Sequence, residues 1–277
     1  MNEIELVKIK NCDYLIKQTP IKEHYNKLIN EDTVFYKDGV TVGIYIKIKH
    51  PLIEEIRKAT LETKYVKTYR TNALPTQSSV FGSLPRVALR NDYCRYSAQT
   101  KSEKKNAQRL FTFMEVLTNI YKSHLPKQFE HDLQTIKENV NSDYLLNDNQ
   151  PFATANINVN HAIKYHRDTG NFRGNLSNVL ILRDGVVGGE LVFPEYGFAL
   201  AQEDSYLAVF DGQNEIHGVM PIKRTKKENP YRASIVYYTL ENMKHCYPFE
   251  LEVERLQKVS TERAIKRAKN IHPSSKK

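Results

Sequence analysis

From residue 151 to residue 240 the chain is written as short apolar runs: FATANINVN, HAIKYH, NVLILRDG, GELVFPEYGFAL, SYLAVFDG, HGVMPI and YRASIVYYTL. Turn residues separate them, with Asp-Gly at 184–185 and 211–212 and Gly-Gly at 188–189. Such runs read as strands, because Gly and Asp supply the tight reversals that strands need. Short strands at even spacing bury their apolar faces by closing on each other, so a sandwich, jelly roll or barrel is expected.

The flanks are written differently. VGIYIKIKH (42–50) reads as a strand stopped by Pro51, and PLIEEIRKATLETKY (51–65) as a short amphipathic helix. TNALPTQSSVFGSLPR (71–86) is rich in Pro, Ser, Thr and Gly and reads as a loop. Residues 99–125 repeat Leu110, Phe113, Met114, Leu117 and Ile120 at helical spacing before Pro126, which predicts a helix with a core-facing stripe. Residues 127–140 read as a second helix, and LEVERLQKVSTERAIKRAKNIHPSSKK as a basic helix with a polar tail.

The net charge is +9, from 41 Lys and Arg against 32 Asp and Glu, which favours a polyanionic partner. No apolar run is long enough to span a membrane, so no membrane partner is expected. The N-terminal MNEIELVKIKNCDYLIKQ lacks the apolar centre of a secretion signal. Cys12, Cys94 and Cys246 are scattered with no Cys-x-x-Cys, which reads as an intracellular, reduced protein without a disulfide framework or thiolate zinc site.

HRDTGN (166–171) allows two chemistries. A kinase catalytic loop needs Asn five residues after the Asp, where this chain has Arg173, and no Gly-rich loop or Asp-Phe-Gly accompanies it. An iron site needs two His and one carboxylate, leaving open positions for cosubstrate and O2. His166 and Asp168, two apart, point to one face of extended chain, and His217 is the downstream candidate, with His161 and His245 as rivals. Arg232 then lies within an apolar strand, where a guanidinium is costly unless it pairs with an anion. Its planar fork suits a carboxylate, and Ser234 shares its face.

The ordered set His166-Arg-Asp168, His217-Gly and Arg232-x-Ser234 resembles the Fe(II)/2-oxoglutarate dioxygenases of double-stranded β-helix fold. More narrowly, it resembles the Tet/JBP group, which oxidises the 5-methyl group of pyrimidines in DNA. Asn171 stands where that group contacts the target base; fifteen residues separate His217 from Arg232, as in that group. RASIVYY resembles its Arg-x-Ser-x-Val-x-Tyr strand, which puts Tyr238 near the base. FGSLPRVALRNDYCRYS (81–97) resembles its Phe-Gly segment, and Arg70 matches an Arg that meets the cosubstrate's 1-carboxylate. The likeness covers roughly residues 65–242. Leu240 replaces a His that touches cytosine in animal Tet enzymes, and the three Cys cannot build their zinc-bound extension. Thymine, giving 5-hydroxymethyluracil, and 5-methylcytosine both stay open.

The resemblance implies an α+β chain with a double-stranded β-helix (jelly-roll) core, flanking N-terminal helices and a basic C-terminal helix. Residues 1–150, 151–242 and 243–277 would form one catalytic domain. It also implies Fe(II) on His166, Asp168 and His217, and 2-oxoglutarate on Arg232, Ser234 and Arg70. O2 would be the oxidant, ascorbate the reductant in vitro, and Asn171 and Tyr238 would meet the base. DNA phosphates would meet the C-terminal helix and loop residues Arg86, Arg90 and Arg95. Alternatives are the same chemistry on a protein side chain, as in prolyl hydroxylases, or on RNA or a free nucleotide. An inactive nucleic-acid-binding module and a sugar-binding jelly roll are the readings without catalysis.

Overall fold

In YRASIVYY (231–238), successive side chains must face opposite sides of a strand. In the computed structural model Ala233, Ile235 and Tyr237 are fully buried in an apolar core, while Arg232, Ser234, Val236 and Tyr238 line a cavity on the other face. That one alternation separates what holds the fold from what builds the site. The structure describes residues 1–68, 76–86, 93–226 and 228–271.

The early strands are β1 (Asn2–Glu5), β2 (Lys27–Ile29), β3 (Thr33–Lys37), β4 (Val40–Lys47), β5 (Val66–Thr68), β6 (Thr76–Leu84) and β7 (Arg95–Tyr96). The later ones are β8 (Thr154–Val159), β9 (Ser177–Asp184), β10 (Val186–Gly188), β11 (Leu191–Phe193), β12 (Phe198–Leu200), β13 (Tyr206–Phe210), β14 (Gly218–Val219), β15 (Ile222–Arg224) and β16 (Tyr231–Tyr238). The helices are α1 (Leu52–Glu62), α2 (Ala98–Ser102), α3 (Lys104–His124), α4 (Pro126–Asn139) and α5 (Phe249–Ile271). A major sheet runs in the order β1-β3-β4-β13-β9-β16-β8-β6-β5, with β7 on β6. A minor sheet, β14-β11-β12-β2, faces its inner side, and β10 pairs with β15.

The helical stripe sits as its spacing predicts. Leu110, Phe113, Met114 and Leu117 are fully buried against Phe81, Ile157, Leu180, Ile235 and Tyr237 of the sheet, while Ile120 is partly buried. Each such side chain contributes about 1.5–3 kcal/mol of apolar burial. This layer backs β16, β8 and β9 and keeps their inner faces in register. Pro126 opens α4 at its first turn, where its missing N–H costs nothing. No helix among the described residues is long and apolar enough to cross a membrane.

Several expectations are corrected. Most of the expected loop at 71–86 is strand β6, central between β8 and β5; positions 71–75 of it lie outside the described residues. Its Ser, Thr and Gly are small residues between two partner strands, not turn formers. A Cβ on Gly82 would sit 2.1 Å from the Ala153 carbonyl oxygen. HAIKYH is not a strand: its backbone pairs with the N-terminal arm, Tyr165 N–H donating to Gln18 O and Lys17 N–H to Tyr165 O. HGVMPI is split by Pro221 into β14 and the start of β15. Cys94 and Cys246 form a disulfide across 152 residues, while Cys12 is free and buried. Spacing could not reveal this pair, because tertiary packing around Ile136, Tyr144 and Phe172 brings the sulfurs together. The expectation of free thiols, and of a reduced compartment drawn from it, therefore loses its basis.

Candidate active site

His166 and His217 form an isolated antiparallel bridge, each backbone N–H donating to the other's carbonyl at 2.9 and 3.0 Å. The bridge sets their rings side by side, with centroids 4.4 Å apart. His166 Nδ1 lies 2.9 Å from Lys164 O, and His217 Nδ1 lies 2.9 Å from Glu215 O. Each Nδ1 thus acts as the donor, which leaves both Nε2 lone pairs facing the same space. Asp168 Oδ1 is 3.5 Å from His166 Nε2 and 3.8 Å from His217 Nε2. Among the described residues these three side chains form a group that could hold a metal ion, their ligand atoms within 4.8 Å of one another; His161 and His245 do not join it. The donor set, two neutral imidazoles and one carboxylate, suits Fe(II) with open positions.

Asp168 is held by its backbone and by a two-step relay of side chains. Its N–H donates to Gly212 O at 2.7 Å, Ser177 Oγ donates to its Oδ2 at 3.0 Å, and Asn171 Nδ2 donates to Ser177 Oγ at 3.1 Å. A Cβ on Gly212 would lie 2.3 Å from Asp168 Oδ2. The charges follow the geometry. Burial lowers His217 to a pKa of about 4, so it stays neutral. Burial opposes charge on His166 too, but Asp168 and the backbone carbonyls outweigh it and raise its pKa. Burial disfavours the Asp168 carboxylate, yet His166, His217 and Ser177 lower its pKa.

Arg232 closes the deep end. It is 1% exposed, its N–H donates to Asn160 Oδ1 at 2.9 Å, and its Nη2 donates to Gln202 Oε1 at 3.2 Å. Its Nε and Nη1, and Gln202 Nε2, have no partner among the described residues. Burial and the nearby Arg183 pull the guanidinium pKa down to about 10. A buried cation with idle donors is costly until an anion arrives. The pocket therefore fits the distal carboxylate of 2-oxoglutarate, with the Ser234 hydroxyl on the same strand face. Gly189 makes room: a Cβ there would be 2.7 Å from Arg232 Cδ.

One cavity of about 360 Å³ joins Arg232 and Ser234 to the His-Asp-His group and on to Asn171, Tyr238 and Leu240. Arg70 lies outside the described residues.

A family model, the Tet_JBP oxygenase domain of the 2OGFeDO superfamily, matches residues 88–241. The chain belongs to the Tet/JBP family. This Tet/JBP oxygenase is similar in fold to NgTET1, solved in complex with 5mC DNA. The identity is 13% and the TM-score 0.59, over 83% of this chain and 87% of that one. A Pseudomonas putida prolyl-4-hydroxylase aligns at 15% identity and TM-score 0.42, over 71% of this chain and 91% of that one. No curated protein matches the sequence. As a member of this superfamily the Tet/JBP oxygenase is a dioxygenase that uses Fe(II), 2-oxoglutarate and O2.

Four residues of the site escape sequence reasoning. Gly189 and Gly212 read as turn formers, yet each is required by a neighbouring side chain; only the fold reveals that. Asn156 and Asn158 of β8 line the cavity, and Asn156 Oδ1 has no partner among the described residues. The alternation in NINVN was a signal for them, since Ile157 between them is core.

Two expected outcomes follow from this Tet/JBP site. Gly212→Ala must displace the Asp168 carboxylate, so metal affinity should fall about 10–100-fold, the usual cost of disturbing an outer partner. Metal titration of the variant checks this, and unchanged affinity would contradict the crowding argument. Metal affinity should also fall with acid. A proton on His166 competes with the metal; because its pKa is raised, the competition starts at a higher pH than for an ordinary imidazole and strengthens as pH drops. His217 adds nothing until about pH 4. Mn(II) titrations at about pH 6 and about pH 8 should show tighter binding at the higher pH, and a flat profile would remove His166 from the metal.

Proposed function

We propose that this oxygenase hydroxylates the 5-methyl group of a pyrimidine base, thymine or 5-methylcytosine, in DNA. The observation that carries this reading is what one cavity brings together: a buried cation, the His-Asp-His group, and Asn171, Tyr238 and Leu240. Membership of the Tet/JBP family, and the fold shared with NgTET1, support it.

In this reading His166, Asp168 and His217 hold Fe(II), and Arg232 with Ser234 grips the distal carboxylate of 2-oxoglutarate. When bound, the metal and cosubstrate supply the oxidation of a C–H bond by O2, with release of succinate and CO2. The chain's own part is placement. Ser177 and Asn171 keep the Asp168 carboxylate turned toward the two imidazoles. Tyr238 offers a face for stacking, and Leu240 gives the pocket an apolar wall. A base within a duplex cannot reach a site this deep, so it must be flipped out or presented single-stranded.

The DNA backbone would meet α5, where Lys258, Arg263, Lys266 and Arg267 are exposed. The loop arginines contribute less than expected. Arg86 pairs with the buried carboxylate of Glu252 and stacks on Tyr247 at 4.4 Å, Arg95 lies 5.2 Å from the Tyr93 ring, and Arg90 lies outside the described residues. Residues 1–150, 151–242 and 243–277 act as one catalytic domain, since α3 and α4 back the core strands and the disulfide ties residue 246 to residue 94.

The test is incubation with Fe(II), ascorbate, 2-oxoglutarate and two duplexes, one of ordinary bases and one carrying 5-methylcytosine. Nucleoside mass spectrometry should find one added oxygen on thymidine or on methylcytidine. Succinate formed while every nucleoside stays unchanged would overturn the DNA reading and leave a protein, RNA or nucleotide substrate.

A further inference from the structure

Phe210, at the end of β13, lines two cavities. One is the active-site cavity. The other, of about 170 Å³, continues between the same two sheets on the far side of the ring. Leu6, Phe35 and Val42 on one side and Phe193, Phe198 and Leu200 of the minor sheet on the other give it an apolar lining. Its charged contributors are Lys37, Asp211 and Glu215, and Glu215 is already paired with Lys8 at 3.0 Å.

The partition is a single layer of aromatic rings. Phe210 stands edge-on to the His217 imidazole, with centroids 5.1 Å apart, and edge-on to Phe193 at 5.2 Å. The chamber therefore ends against the rear of a residue that could hold the metal. Its aromatic and aliphatic lining contrasts with the front cavity, which is lined by Arg232, Asp168, Gln202 and three Asn side chains.

We infer that this chamber takes up dioxygen and that the Phe210 ring is the partition through which the gas reaches the metal. The inference rests on the metal site described above. Dioxygen is consumed by the reaction, is small and apolar, and carries no group that needs a hydrogen bond. Apolar lining of this kind admits apolar gases such as xenon. The front of the site is filled by cosubstrate and substrate when turnover begins, so a route from behind lets the gas arrive without displacing either.

Two measurements test this. Crystals pressurised with xenon should show the atom in the chamber beside Phe210, a result independent of iron, cosubstrate and substrate. In the Fe(II)-loaded enzyme, Val42→Phe, which fills the chamber from β4, should raise the KM for O2 several-fold with the KM for 2-oxoglutarate unchanged. Succinate release is the readout. A chamber that excludes xenon, or a variant whose KM for O2 equals wild type, overturns the proposal. A wild-type enzyme that binds xenon in the chamber yet never releases succinate would instead overturn the metal-site reading.

Discussion

His217→Ala is expected to remove Fe(II) from the protein and to abolish succinate release. Loss of an outer partner of a metal ligand already costs about 10–100-fold, so loss of the ligand itself should exceed about 100-fold in metal affinity. The fold should survive. The bridge between residues 166 and 217 is made by backbone atoms, which Ala retains. His217 is neutral in the metal-free protein, so its removal strips no buried charge from the core. Metal content of the purified variant and its thermal midpoint separate the two effects. An iron-free protein melting near wild type is the expected result, whereas a rate close to wild type would show that His217 holds no metal.

Arg232→Met should have two effects of opposite sign. Removing one side of a buried charge pair costs about 2–5 kcal/mol of binding, which is about 30- to 4,000-fold in the Kd for 2-oxoglutarate. The metal-free, cosubstrate-free protein should become more stable. There Arg232 is a fully buried cation with two idle donor nitrogens and another guanidinium near it. Replacing such a group with an apolar side chain stabilises by about 1–4 kcal/mol. Calorimetric titration with 2-oxoglutarate and thermal melts without it measure the two arms. A variant that binds 2-oxoglutarate as well as wild type, or melts lower without it, would mean that the guanidinium serves the fold and not the ligand.

The legible part of this chain was whatever repeats or alternates. The stripe Leu110, Phe113, Met114, Leu117 announces a helix against a core, and Arg232, Ser234 and Tyr238 share a face because strand periodicity is two. The metal group was legible because its residue types are rare in that order and the apolar runs around it imply strands that converge. Close approach was illegible. Gly189 and Gly212 carry no mark in one dimension of what their missing side chains leave room for. β6 was misread because small polar residues suit both a loop and a strand squeezed between two partners. The Cys94–Cys246 bond depends on helix packing 152 residues away in sequence. Arg86 looked like a phosphate ligand because its partner, Glu252, lies 166 positions further on.

In the proposed function one cavity couples 2-oxoglutarate consumption to oxidation of a DNA base. The most direct measurement follows succinate and oxidised nucleoside in the same reaction, with and without DNA. DNA should stimulate succinate release, and the two products should form in equal amounts. Succinate released at a rate indifferent to DNA, with no oxidised nucleoside, would contradict it.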